Sequence, residues 1–202
     1  MVPRTKLKWS SDGTSVYLTQ PNHINAALIR FNMTDCKVAP TPMITDFDSE
    51  SITTEDHINP DFPYNGLIGR LLWIGRNTRP DILNAVAMLA SFNSNFSDYH
   101  IQQAKRVLAY LKGTISFGLY YSKQADFSIE QPLKMHMYSD SDWVRCKSTR
   151  RSITGYVGYL LSCPIIFSST YQTSTNCYFS NRSRMYGNVT CFKRNTLCSK
   201  YL

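Results

Sequence analysis

The stretch Tyr64–Phe92, YNGLIGRLLWIGRNTRPDILNAVAMLASF, decides how the rest of the chain is read. Leu67, Ile68, Leu71, Leu72 and Gly75 recur at helical spacing and form one stripe, which predicts a helix buried along that side. Pro80 suits the first turn of a second helix, where a missing N–H costs nothing, and Asp81 suits the positive end of that helix. Ile82, Val86, Leu89 and Ala90 then face inward.

Downstream, a third helix is predicted to start near Ser97 or Asp98 and to bury Ile101, Ala104, Val107, Leu108 and Leu111, with Gly113 as its stop. From residue 117 the period changes to two. GLYYS, KMHMYS, SITGYVGYLL and PIIFSS read as strands. Upstream, LKWSSDGTSVYLTQ carries Asp12-Gly13, a hairpin turn signal. In NHINAALIRF, Ile24, Ala27, Leu28 and Phe31 take helical spacing, and APTPM stops any helix. The whole reads as α+β. Its segments are a hairpin plus helix over 1–43, an acidic polar linker over 44–63, a helical subdomain over 64–116, a sheet over 117–170 and a basic tail over 171–202.

Apolar residues make up 43% of the 202, so the chain has the material for a core. The net charge is +8. Five cations (Arg182, Arg184, Lys193, Arg194, Lys200) and no acid lie after Thr170, so about +3 is left for the remainder. Such a balance is compatible with a nucleic-acid partner without demanding one. The six cysteines include no C-x-x-C pair. His100 and His136 have no partner at metal-ligand spacing and read as ordinary surface or strand histidines, and Trp73 and Trp143 read as core or rim packing. With no signal-peptide core and no apolar run of membrane-spanning length, a cytoplasmic or nuclear location with free thiols is expected, with no membrane partner and no small-molecule substrate.

Four motifs in order carry a resemblance: YNGLIGRLLWIGRNTRPDILNAVAMLASF, HIQQAKRVLAYLKGTISFGLYY, YSDSDW and STRRSITGYVGYLL, preceded by RFNMTDCKVAPTPM. Over roughly residues 1 to 170 the chain resembles the C-terminal part of the Pol polyprotein of Ty1/copia-type retrotransposons, from the end of the reverse transcriptase into the start of its ribonuclease H domain. The resemblance implies a helical subdomain like the polymerase thumb and connection, followed by a partial ribonuclease H-like antiparallel sheet. In the parent it implies RNA-templated DNA synthesis and DNA integration, with an RNA/DNA hybrid as partner and Mg²⁺ as cofactor.

Carried over by residue, the resemblance leaves the catalytic sets incomplete. The Y-V-D-D-type aspartate pair of the polymerase matches nothing here. Asp140, ending the strand MHMYSDSDW, resembles the first ribonuclease H metal ligand; a bland reading makes it a polar strand-end residue. Asp142 could share its face. Cleavage by that fold needs several carboxylates around two Mg²⁺ ions, and one carboxylate binds Mg²⁺ poorly. The expectation is no enzyme and no cofactor in this chain. Lys105 and Arg106 on the third helix, and Lys147, Arg150 and Arg151 between two strands, are candidate contacts to a nucleic-acid backbone or simply solvated faces.

The family's next ligand is a glutamate in a T-E-A-E-like motif, where this chain has Ser174–Gly187, STNCYFSNRSRMYG, with no acid. One permitted set of codons for those residues, regrouped in a shifted frame, spells Q-P-T-V-I-S-Q-T-E-A-E-C-M-A. A frameshift near Thr170–Gln172 is therefore expected; the rival reading is a genuine basic tail that binds phosphates.

Overall fold

The computed structural model describes residues 5–44, 47, 61–122, 135–142, 153–160, 163–171, 189–193 and 196–198. The chain divides into two compact units, one comprising Met1–Lys8 and Tyr17–Leu119, the other Trp9–Val16 and Tyr120–Leu202. The expected mixed α+β composition is present.

Strands β1 (Lys6–Trp9) and β2 (Ser15–Thr19) form the expected hairpin, and β3 (Leu119–Ser122) completes a three-stranded sheet in the order β1-β2-β3. At the turn, Gly13 takes φ 68°, a conformation open to glycine at little cost. The Asp12 carboxylate accepts hydrogen bonds from the Ser10 hydroxyl, the Thr14 hydroxyl (2.7 Å) and the Thr14 N–H (3.2 Å). Those donors, Ser10 foremost, pull its pKa down to about 2.

Helix α1 (Pro21–Arg30) buries Ile24, Ala27 and Leu28, with Phe31 just beyond it. It ends well before the prolines of APTPM. Asn32, at φ 52°, turns the chain into the left-handed region. The Asn32 N–H then donates to Ile29 O and the Met33 N–H to Leu28 O, and Met33 and Leu28 are both in the core. This is the six-to-one and five-to-two closure of a helix end, with asparagine in the position glycine usually fills.

Helix α2 (Tyr64–Asn77) buries Leu67, Ile68, Leu71, Ile74 and Gly75, close to the predicted stripe. A short 3₁₀ turn (Pro80–Ile82) leads into α3 (Leu83–Ala90), so Pro80 does open the second helix. Gly75 permits the turn back: a Cβ there would lie 2.8 Å from Leu83 Cδ2. Tyr64 ties the far ends together, donating its hydroxyl to Leu89 O (2.9 Å) and stacking on Phe96 at 4.5 Å. Helix α4 (Asp98–Gly113) packs against all three other helices through Ile101, Ala104, Val107, Leu108 and Leu111. Each fully buried leucine or isoleucine here contributes about 1.5–3 kcal/mol.

One feature of α4 differs from the sequence reading. His100 is no surface histidine: it is 1% exposed, and its Nδ1 accepts the Ser97 N–H at 3.1 Å, taking the place of the glutamate in a capping box. Gly113, the expected stop, is the last helical residue, and Thr114 follows at φ −121°. A Cβ on Gly113 would stand 3.2 Å from Val38 Cβ, so close approach of the 31–44 segment accounts for this glycine.

His23 in α1 is buried, and neither ring nitrogen has a hydrogen-bond partner among the described residues. Burial, reinforced by the Arg70 charge, holds its pKa below the ordinary 6.5. Its contribution to stability is therefore present above the unfolded value near 6.5 and is lost as pH falls through the folded value. The melting temperature should drop between pH 7.5 and 5.5, and less so in His23→Phe. Equal drops in the two proteins would show that His23 is not the group responsible.

The second unit holds a five-stranded sheet in the order β6-β5-β4-β7-β8, formed by β4 (Met135–Asp142), β5 (Ile153–Leu160), β6 (Cys163–Tyr171), β7 (Val189–Lys193) and β8 (Thr196–Cys198). β4, β5 and β6 run antiparallel in sequence, as expected, with a register shift at Gly158/Tyr159. The expectation differs in two ways. Leu119–Ser122 joins the hairpin sheet and not β4–β6, because Gly118 brings the chain against the Leu18 carbonyl. The tail, for which the sequence predicts no element, supplies β7, parallel to β4, and β8, antiparallel to β7.

Candidate nucleic-acid and metal sites

Asp140 lies in β4 opposite Gly155, and Asp142 lies opposite Ile153. The two positions have the same parity in the strand as His136 and Tyr138, and β4 is the middle strand of the five. The strands around it (ITGYVGYL, CPIIFSSTY, VTCFK and TLC) contain no acidic residue. Two carboxylates from one strand are too few donors to hold a pair of Mg²⁺ ions, which each need near-octahedral oxygen coordination. Among the described residues no group of three or more His, Cys, Asp or Glu side chains is placed to hold a metal ion. The described residues of this sheet therefore do not by themselves make a two-metal centre.

The basic candidates divide. Lys147, Arg150 and Arg151 lie outside the described residues. Lys105 and Arg106 are half-buried on α4 and turned to the chain's own loops. Lys105 Nζ sits 5.2 Å from the centroid of the Phe62 ring, and Arg106 Nη2 donates to Thr41 Oγ1 at 3.0 Å. Lys112 Nζ likewise donates to Cys36 O at 2.7 Å. These three cations hold the 31–44 segment and Phe62 against α4.

A fourth cation is wholly internal. Arg79 is 2% exposed. Its Nε and Nη2 grip the Asp81 carboxylate at 3.0 and 2.7 Å, Nη1 donates to Thr114 O at 2.8 Å, and Nη2 also donates to Thr114 Oγ1 at 2.6 Å. Tyr110 donates its hydroxyl to the same carboxylate at 2.8 Å. Burial pushes the Asp81 carboxyl up, but the Arg79 hydrogen bonds and charge, with the Tyr110 hydroxyl, outweigh it and hold the pKa below 3.8. This network joins the start of α3 to the end of α4; it is a clasp rather than a binding site.

Among the other cations are three arginines of α1 and α2 that the sequence reading did not single out. Arg30, Arg70 and Arg76 make no hydrogen bond or ion pair among the described residues, and α1 and α2 carry no acid. Gly66, Gly69, Trp73 and Arg76 are all exposed and share one side of α2, with Arg70 half-buried beside them. Trp73, expected as packing, is 48% exposed. The signal available in sequence was the pair of glycines on the polar side of an otherwise strong helix.

No helix among the described residues is long and apolar enough to cross a membrane. No family model matches the chain, and no solved structure matches it. Curated proteins do. The chain is 35% identical over 159 residues to the Retrovirus-related Pol polyprotein from transposon RE1 of Arabidopsis thaliana, an alignment covering 79% of this chain and 10% of that polyprotein. It is 33% identical over 164 residues to an uncharacterized mitochondrial protein of the same plant, covering 80% of this chain and 63% of that one. With the Retrovirus-related Pol polyprotein from transposon TNT 1-94 of Nicotiana tabacum, identity is 31% over 147 residues, covering 70% and 10%. The chain thus spans about a tenth of the length of the Pol polyproteins it matches. On these matches, and on the ordered motifs from Tyr64 to Leu161, the chain belongs to the Ty1/copia-type retrotransposon Pol family, as a segment of such a polyprotein.

Proposed function

We propose that this chain is a non-catalytic remnant of the reverse transcriptase/ribonuclease H region of a retrotransposon Pol, derived from a parent that acts in RNA-templated DNA synthesis and DNA integration. The observation that carries the reading is Asp140 in an antiparallel β4-β5-β6 arrangement whose neighbouring strands offer no further acid. Nothing in the sequence matches the polymerase aspartate pair, which supports the same conclusion. The test is cleavage of an RNA/DNA hybrid in Mg²⁺. Expected is no cleavage above that of the Asp140→Asn variant. Cleavage by the natural chain that disappears in Asp140→Asn would make it a residual ribonuclease H and sink the reading. The reading also holds that residues after about Thr170 arise from a shifted frame. The coding DNA checks this directly: absence of T-E-A-E in the alternative frame refutes it.

A further inference from the structure

We infer that the outer edge of β6, over Ile166–Tyr171, pairs antiparallel with the same strand of a second copy of this chain, joining two sheets into one across a two-fold axis. The inference goes beyond the non-catalytic reading and does not depend on it.

Open backbone is the first observation. β6 ends the order β6-β5-β4-β7-β8 and pairs with β5 alone among the described residues, so its other side presents unpaired N–H and C=O groups. Ile166–Tyr171 runs in unbroken register with Ile153–Gly158, beyond the shift that skips Ile165. The start of the strand is closed instead. Pro164 has no N–H, and its carbonyl accepts the Tyr121 hydroxyl at 2.8 Å. The free template is therefore the regular part of the strand, IFSSTY.

The second observation is the lack of protection. Among the described residues four strands lie at sheet edges: β1, β3, β6 and β8. β1 and β3 are four residues long and β8 three, and β1 carries Lys6 and Lys8. Short length and lysines are the usual guards of an edge. β6 has neither: it is nine residues long, carries no charge, and leaves Ile165 and Ile166 44% and 42% exposed. IFSSTY also combines β-branched and aromatic residues with no proline and no glycine, a composition that favours strand-to-strand association.

The third observation selects the occupant. Neither β6 nor β5 carries a charged residue, so every antiparallel register of β6 on itself sets uncharged positions against uncharged positions. A foreign partner would find no charge there to read. A two-fold pairing of identical strands makes each contact twice and is closed. The joined sheet would end on both sides in β8, too short to recruit a further copy, so growth stops at two.

Sedimentation velocity of the full chain from about 1 to about 100 µM tests this, because an interface of this small size predicts a micromolar dimer. Ser168 lies midway along the free edge. Ser168→Lys and Ser168→Glu each bring like charges together across the axis, and each should weaken the dimer at least about tenfold. Mixing the two variants in equal amounts should restore it, which misfolded variants would not do. A natural chain still monomeric at about 100 µM overturns the inference, as does a dimer that survives both substitutions or an assembly that grows past two copies. Hydrogen exchange separates the other occupants. Outward β6 amides already protected in the monomer would mean that the chain's own segments cover the edge. A chain that stays monomeric, and whose outward β6 amides gain protection only when an uncharged valine/threonine peptide is added, would have an edge built for a foreign strand. Either result overturns self-pairing.

Discussion

Arg79→Ala is expected to destabilise the helical unit by about 3 kcal/mol, a large part of the 5–15 kcal/mol that holds a typical domain together. The guanidinium is 2% exposed and satisfies Asp81 and both the carbonyl and the hydroxyl of Thr114. Its removal leaves the Thr114 carbonyl without that donor and Asp81 without its counter-ion. The Asp81 side chain is 37% exposed and regains some water, which places the loss at the lower end for a broken buried pair, about 3 rather than 5 kcal/mol. Arg79→Lys keeps the charge but not the planar fork, and about 2 kcal/mol should still go. Urea unfolding followed by circular dichroism measures both losses; under about 1 kcal/mol for Arg79→Ala would mean that water substitutes for the clasp. The clasp also has a pH signature. Asp81 is depressed below its unfolded value of 3.8, so its contribution is present above that value and lost as pH falls through the folded one. Arg79→Ala should flatten this acid limb.

The second large effect is Gly118→Ala. A Cβ at this position would lie 2.0 Å from Leu18 O and 2.9 Å from Thr19 Cγ2. The first of these atoms is backbone within β2 and cannot swing aside. Either the approach to β3 or β2 itself must move by more than 1 Å, breaking the β2–β3 pairing; overpacking of this kind costs about 3 kcal/mol. Hydrogen exchange should show the β3 amides losing protection while α2 and α4 keep theirs. Unchanged protection in β3 would mean that the close approach is not what pairs these strands. Gly113→Ala makes a useful contrast, since Val38 at 3.2 Å is a side chain near a loop and can yield.

The helical core was legible residue by residue. Ile24, Ala27, Leu28, Leu67, Ile68, Leu71, Val86, Leu89, Val107, Leu108 and Leu111 were read from spacing alone and are buried. Helical and strand periods are local properties of side-chain direction, so they survive without any knowledge of partners. The misreadings have non-local or unusual causes. Asn32 closes α1 because asparagine tolerates the left-handed region, a weaker signal than the prolines after it. His100 is a buried cap because Ser97 lies three residues before it, where the usual pattern asks for glutamate or glutamine. The candidate site was less legible. Lys105 and Arg106 looked like a free basic face, yet Thr41 and Phe62, some 65 and 43 residues away in sequence, take them up.

By itself the sequence determined the family, the helices and their buried stripes, and the hairpin. These follow from residue identity and short-range periodicity, which operate within a few turns of chain. Only the tertiary structure decided which charges remain available. An arginine is a clasp, a loop anchor or a cation without a hydrogen-bond partner according to what the fold brings within about 3 Å of it, and hydrogen-bond energy falls away beyond that distance. Arg79 met Asp81 and Thr114, Arg106 met Thr41, and Arg70 and Arg76 met no partner among the described residues. Composition counts all four alike; packing separates them.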